Sequence, residues 1–210
     1  IGGGKYVLFR TQFLQQLKAP KLLLKNLFLF PTTATSFYLY RSGWKSMYAL
    51  HLSKTERSKI KKGFNEVFQT IGYTHPDKVY GRVIEDRSTQ ITFSAVGQKA
   101  PVAVKEAWKS KNDNLRHRMV KILQKHLPEF NVRAGGLTSI DVTEKGIDKA
   151  YGLRQISKHL HLPVKSMLFV GDAIFPGGND YAVVKTGVDY IPVSGPEQTK
   201  EIIRSLLKKS

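Results

Sequence analysis

Apolar residues recur along this chain with two different periods. In "KYVLFRTQFLQQL", residues 5–17, Tyr6, Phe9, Phe13 and Leu17 fall on one face at helical spacing, and Ala19-Pro20 predicts the stop. "NLFLFP" predicts a short buried strand closed by Pro31, and "SFYLYRSGWKSMYAL" predicts two strands around a Ser42-Gly43 turn. Ser53 with Glu56 three residues on is a capping box; it opens a helix whose Ile60, Phe64, Val67, Phe68 and Ile71 form an apolar stripe ending at Gly72. "KVYGRVIEDRSTQITFSAV" reads as extended, with "QITFSAV" its clearest strand. A helix around "NLRHRMVKILQKHL" follows, then strands "FNVRA" and "LTSIDV" separated by Gly135-Gly136.

The last third changes character. A helix carrying Ile147, Ala150, Leu153, Ile156 and Leu160 leads to the strand "MLFV", a glycine loop, a short helix ending at Gly187, the strand "YIPV" and a helix opened by Pro196. Helices alternating with apolar strands predict a parallel, two-sided sheet. The chain thus reads as an antiparallel α+β module in the middle and a parallel α/β core made from both ends.

Composition narrows the function classes. With 210 residues, 41% of them hydrophobic, the chain can bury a core. It has no cysteine, which excludes a disulfide framework, a thiolate metal site and a thiol nucleophile. No apolar run approaches the roughly 18 residues of a membrane span, and the start "IGGGKYVLFR" has no signal-peptide core. A cytoplasmic product with no membrane partner is the expectation. The 34 Lys+Arg against 16 Asp+Glu, a formal +18, would attract phosphorylated metabolites or nucleic acid, although the basic residues are dispersed and form no RNA-module signature. The six histidines, His51, His75, His117, His126, His159 and His161, show no metal spacing; His159 and His161 read as capping or surface residues at a helix end.

The chemistry concentrates in "MLFVGDAIFPGGNDY", residues 167–181. Ligands of open parallel sheets sit at the carboxyl ends of strands, where Asp172 falls. A carboxylate one residue past a buried strand is held rigidly at the rim and suits a hard cation, while Gly177 and Gly178 let the backbone approach a phosphate or a neighbouring loop. Asp180 would orient water, metal or a lysine. A plain turn after a strand is the alternative reading of Gly171-Asp172 alone.

The longer pattern "GDAIFPGGNDY" resembles the fourth motif of the haloacid dehalogenase (HAD) superfamily, in the class with a IIB-type cap that includes phosphomannomutase-like proteins. "GGLTSIDV" followed by "KGIDKAYGLRQI" resembles that family's cap exit and third motif, "VIEDRSTQITFSAVGQ" its cap strands, and "GGGKY" stands where the second motif falls. The resemblance covers nearly the whole chain. It implies an α/β fold with a Rossmann-like parallel sheet core from residues 1–34 and 143–210, lacking the first strand, and an inserted α+β cap over 35–142.

The resemblance also implies a Mg²⁺-dependent phosphoryl-transfer enzyme, a phosphatase or phosphomutase acting on a sugar phosphate. Lys149, Asp172 and Asp180 are then the catalytic candidates, with Asp172 and Asp180 the metal ligands. Lys149 would hold the phosphoryl group together with Gly2 and Gly3. Ser139 and Asp141 match the cap pair that hydrogen-bonds sugar hydroxyls, and positions two apart in a strand share a face. Gln98 completes the substrate-binding candidates. Arg82, Arg87 and Arg133 are further anion contacts or solvated side chains. A homodimer stays open.

Three departures qualify that expectation. The family's nucleophile lies in a D-x-D-x-T segment, and no D-x-D occurs in this chain. Gly2 stands where the family has a Ser or Thr that grips phosphate, so a hydroxyl donor is lost. Gln98 replaces the arginine that grips a second sugar phosphate, which makes a phosphatase at least as expected as a mutase. The polypeptide should therefore lack covalent catalysis as it stands. It reads either as an incomplete copy of such an enzyme or as a basic pseudoenzyme that binds RNA or a ribonucleoprotein.

Overall fold

The computed structural model describes residues 1–208. Its contacts divide the chain into two compact units, one from Ile1 to Ile147 and one from Asp148 onward.

The first unit holds two antiparallel sheets. In one, β1 (Phe28–Leu29) pairs with β2 (Ser36–Tyr40), which pairs with β3 (Trp44–Ala49). The hairpin turns at Ser42 and Gly43, both at positive φ, as a tight connection between twisted strands requires. The other sheet has the order β4-β5-β7-β6, from β4 (Ile84–Asp86), β5 (Ile91–Ser94), β6 (Phe130–Gly135) and β7 (Ser139–Glu144). The helices Lys54–Ile71 and Val102–His126 pack with it.

Ile60, Phe64 and Val67 from the first helix and Met119 and Leu123 from the second bury their side chains with Ile91, Phe93, Ile140 and Val142 of the sheet. Gly63 permits the two helices to meet closely, since a Cβ there would lie 3.2 Å from a Leu123 methyl. The Ser53–Glu56 capping box forms in both directions and Gly72 closes the helix in the left-handed region, as the sequence predicts.

The second unit pairs β8 (Leu168–Gly171) in parallel with β9 (Asp189–Pro192). The helix Lys149–Leu160 is N-capped by Asp148, whose side chain accepts from the Tyr151 N–H at 2.8 Å. Leu153, Phe169, Val183 and Val188 form its core. Gly187 ends the 3₁₀ segment Tyr181–Thr186 at positive φ, and Pro196 opens the helix Pro196–Leu207. His161 caps Lys149–Leu160 in the left-handed region.

Two elements differ from expectation. The helix expected over residues 5–17 is α-helical only for Tyr6–Leu8 and becomes a π-helical stretch over Phe9–Leu14. Thr11 donates its hydroxyl to the Val7 carbonyl at 3.0 Å, competing for a helical acceptor, and Gln15 N–H bonds to the Arg10 carbonyl five residues back. Phe13, expected on a buried stripe, is 43% exposed. The helix expected near residue 114 instead starts at Val102, directly after Pro101.

Candidate functional site

In the second unit the site grows from the end of β8. Gly171 closes the strand, and a Cβ there would strike the Asp180 carboxylate and the Phe169 ring. The loop then runs through exposed Asp172 to Asp180, which is 1% exposed. Gly178 lies against the Ala173 carbonyl so closely that a Cβ would not fit, and the Asp180 N–H donates to that same carbonyl at 3.2 Å. Asp180 Oδ2 accepts from the Ala173 N–H at 3.3 Å, while Oδ1 pairs with the Lys149 ammonium.

Lys149 is the first residue of its helix. An ammonium there opposes the positive end of the helix dipole, and the Asp180 carboxylate offsets that cost. At 12% and 1% side-chain exposure, the two charges are stable out of water only as a pair.

These residues fit a divalent cation only in part. Asp172 presents a solvent-facing carboxylate, the hard oxygen donor that Mg²⁺ prefers. Both oxygens of Asp180 are engaged by Lys149 and the Ala173 N–H. Among the described residues no group of three or more His, Asp or Glu side chains is arranged to hold a metal ion.

In the first unit, the glycine loop is threaded onto the turn Pro31–Ala34. The Gly2 N–H donates to the Phe30 carbonyl at 3.0 Å, and the Thr32 and Thr33 N–H groups donate to the Gly4 and Gly2 carbonyls, each at 2.9 Å. Arg87 ties the same loop to the four-stranded sheet. Its guanidinium donates to the Gly3 carbonyl at 2.6 Å, to Gln98 Oε1 at 2.8 Å and to Glu85 at 2.7 Å, and Lys5 pairs with Glu85 at 2.9 Å. Burial works to raise the Glu85 pKa, yet hydrogen bonds and charge from Lys5 and Arg87 hold the carboxyl below its usual range. The Gln98 Nε2 is buried without a hydrogen-bond partner.

Ser139 and Asp141 share a face of β7, opposite Ser94 and Thr92 of β5. Thr92 donates to Asp141 Oδ1 at 2.7 Å, and the Asp141 carboxylate lies over Gly135, where a Cβ would collide with it. Buried Arg116 fixes this hairpin from the helix by donating to the Gly135 and Gly136 carbonyls at 3.1 and 2.7 Å. Of the three candidate arginines, Arg133 stands opposite Asp141 in register and Arg82 is exposed.

Residues 9–209 match the family model for eukaryotic phosphomannomutase. The chain belongs to the eukaryotic phosphomannomutase family. Similar phosphomannomutase-family proteins include the phosphomannomutase of Encephalitozoon cuniculi, 33% identical over 138 residues, 61% of this chain and 51% of that protein. Phosphomannomutase 1 of Dictyostelium discoideum is 29% identical over 156 residues, 71% of this chain and 61% of that one. The chain spans about half the length of the curated relatives it matches. Among solved structures, an N-terminally truncated IMP-nucleotidase from Plasmodium falciparum matches with a TM-score of 0.60 at 16% identity, covering 87% of this chain and 50% of that one. The fold of this phosphomannomutase-family chain is accordingly the α/β fold of the HAD superfamily, as its motifs predict.

Sequence reasoning did not single out Gln90, Thr92 or Arg116. The alternation of polar Gln90, Thr92 and Ser94 with apolar Ile91, Phe93 and Ala95 was the available signal for the first two. Nothing in the sequence marks Arg116 as buried.

Proposed function

We propose that this chain carries part of an HAD-type phosphoryl-transfer site for a sugar phosphate. The observation that supports it best is the buried Lys149–Asp180 pair beside the loop that exposes Asp172. In this reading Asp180 fixes Lys149 so that its ammonium faces phosphoryl oxygens, a charge placed before substrate arrives. Asp172 would hold Mg²⁺, which supplies charge neutralisation at the phosphoryl group. Of the glycine loop, Gly3 would turn its backbone N–H to the phosphate, whereas the Gly2 N–H would first have to leave the Phe30 carbonyl. Ser139 and Asp141 take sugar hydroxyls, with Gln98 beside Arg87.

Residues 1–34 and 143–210 would form the core and 35–142 the cap. Covalent transfer needs an aspartate nucleophile in a D-x-D setting, which these 210 residues do not contain. The activity assigned to them is therefore binding and orientation of the phosphate. With Gln98 in place of an arginine, a phosphatase is at least as expected as a mutase for the whole enzyme.

The test is titration of a sugar-phosphate panel, with and without Mg²⁺, into the wild-type chain and the Lys149→Ala and Asp172→Asn variants. Phosphate release is measured in parallel on the chain extended upstream in its native reading frame. Ligand stabilisation that Lys149→Ala removes supports the reading. Equal stabilisation of wild type and both variants refutes the roles given to these residues.

A second reading, a basic scaffold for RNA, draws on Lys111, Arg118, Lys121 and Lys125, all exposed on the helix Val102–His126. It requires binding that weakens steeply with salt.

A further inference from the structure

The turn Pro31–Ala34 places three consecutive residues without glycine's freedom in the left-handed region, with φ of 49°, 59° and 68° at Thr32, Thr33 and Ala34. Branching at Cβ makes this conformation costly for both threonines. Such strain persists only where the surroundings over-determine it. Here they do: the Thr32 and Thr33 N–H groups are bonded to the glycine loop, and the Thr35 hydroxyl donates to Thr89 at 2.7 Å in a buried cluster that includes Thr32.

Thr33 differs from its neighbours. Thr32, Ala34 and Thr35 are buried, whereas Thr33 is half-buried, and its backbone bonds directly to Gly2. Its hydroxyl is the start of a relay in which every donor points the same way. Thr33 Oγ1 donates to Gln90 Oε1 at 3.3 Å, Gln90 Nε2 donates to Thr92 Oγ1 at 2.8 Å, and Thr92 Oγ1 donates to Asp141 Oδ1 at 2.7 Å. The first link is long for an O–H···O bond and the other two are ordinary. Thr33 is thus the weakly held end of a chain anchored on a carboxylate. Its O–H can turn to a stronger acceptor at small cost.

We propose that Thr33 is an anion-binding residue, and that its hydroxyl supplies beside the glycine loop the O–H donor that Gly2 cannot. The inference rests on the reading of that loop as part of a phosphate site. An anion that accepts from Thr33 draws the hydroxyl away from Gln90 Oε1, so the Gln90 carboxamide reports the event.

The test is titration of inorganic phosphate into the chain, followed by the NMR signals of the Gly2–Gly4 amides and the Gln90 carboxamide. Thr33→Val keeps the Cβ branch and the backbone strain while removing the hydroxyl; Thr33→Ser keeps the hydroxyl. A charge-assisted hydrogen bond lost from the site weakens phosphate binding about tenfold or more in Thr33→Val, and Thr33→Ser stays within about twofold of wild type. Urea midpoints for Thr33→Val close to wild type separate lost binding from lost fold. Equal phosphate affinity of Thr33→Val and wild type overturns the role of Thr33 and leaves the phosphate site standing. A folded wild-type chain whose Gly2–Gly4 amides ignore phosphate overturns both.

Discussion

Replacing Asp180 by asparagine keeps an oxygen for the Ala173 N–H and removes the charge that faces Lys149. The lysine is then an ammonium with 12% of its side chain exposed, next to the positive end of its own helix and without its carboxylate. Removing one partner of a buried ion pair costs about 3–5 kcal/mol because the other charge stays desolvated. The small exposure of Lys149 places this case near 3 kcal/mol, since partial water access relieves the lone ammonium.

Lys149→Met has the mirror effect and strands a carboxylate that is 1% exposed, so its cost is at least as large. The double variant removes both charges and should recover most of the loss, giving a coupling of at least about 1 kcal/mol in a double-mutant cycle. Urea denaturation followed by far-ultraviolet circular dichroism measures all four proteins. At a slope of about 1–3 kcal/mol per molar, a 3 kcal/mol loss moves the midpoint by roughly 1–3 M. Hydrogen exchange at residues 171–181 localises the change. An Asp180→Asn loss below about 1 kcal/mol, or a double variant equal to the sum of the singles, refutes the claim that the pair is held as a unit.

Glu85 supplies a pH dependence. Its folded pKa lies below the ordinary 4.5, so the Lys5–Glu85–Arg87 contacts contribute stability that is complete above that value and is lost as pH falls through the folded pKa; Glu85→Gln should flatten this acid limb in urea titrations at successive pH. Tyr73, pushed up to about 12 by burial, runs the other way: its contribution is present below pH 10 and lost as pH rises toward 12, and phenolate absorbance should show a step near pH 12 that vanishes in Tyr73→Phe. Gly63→Ala inserts a methyl 3.2 Å from Leu123 and should cost about 1–3 kcal/mol by thermal denaturation, against the gain that Gly→Ala brings to an open helix face.

Periodicity made most elements legible because their apolar residues answer to burial alone. The stripe Ile60, Phe64, Val67 and the alternating Ile91, Phe93 each meet the core their spacing implies. The capping box at Ser53 is equally local, since its donors and acceptors lie within three residues of one another. The stretch after Lys5 is helical where its pattern predicts a helix, but its hydrogen bonding turns π-type around Thr11, whose hydroxyl takes the Val7 carbonyl, an effect that no hydropathy pattern contains. The turn Pro31–Ala34 escaped for a different reason. Threonine is a poor choice for positive φ, so only bonds to the distant Gly2, Gly4 and Thr89 explain its conformation. Asp180 and Lys149 are separated by 31 positions, and the sequence could name each as a candidate without showing that one engages the other.

The net charge of +18 conceals two populations of cations. Arg87, Arg116 and Lys149 are withdrawn from solvent and bonded to backbone carbonyls, a carboxamide or carboxylates, so their task is to hold structure or a charge in place. Lys111, Arg118, Lys121 and Lys125 are exposed, and steps of 7, 3 and 4 residues keep them within a sector of about 80° along roughly 21 Å of helix. Exposed cations such as these, and not the withdrawn ones, can neutralise a polyanion. Reversing Lys111, Lys121 and Lys125 to glutamate should abolish binding to single-stranded RNA at low salt if the scaffold reading holds, while leaving phosphate binding unchanged. RNA binding that survives the reversals, or that ignores salt, removes the helix as its site. Phosphate binding that falls with them would mean that the basic face acts on small anions through the general field of the protein, and not through a surface contact of its own.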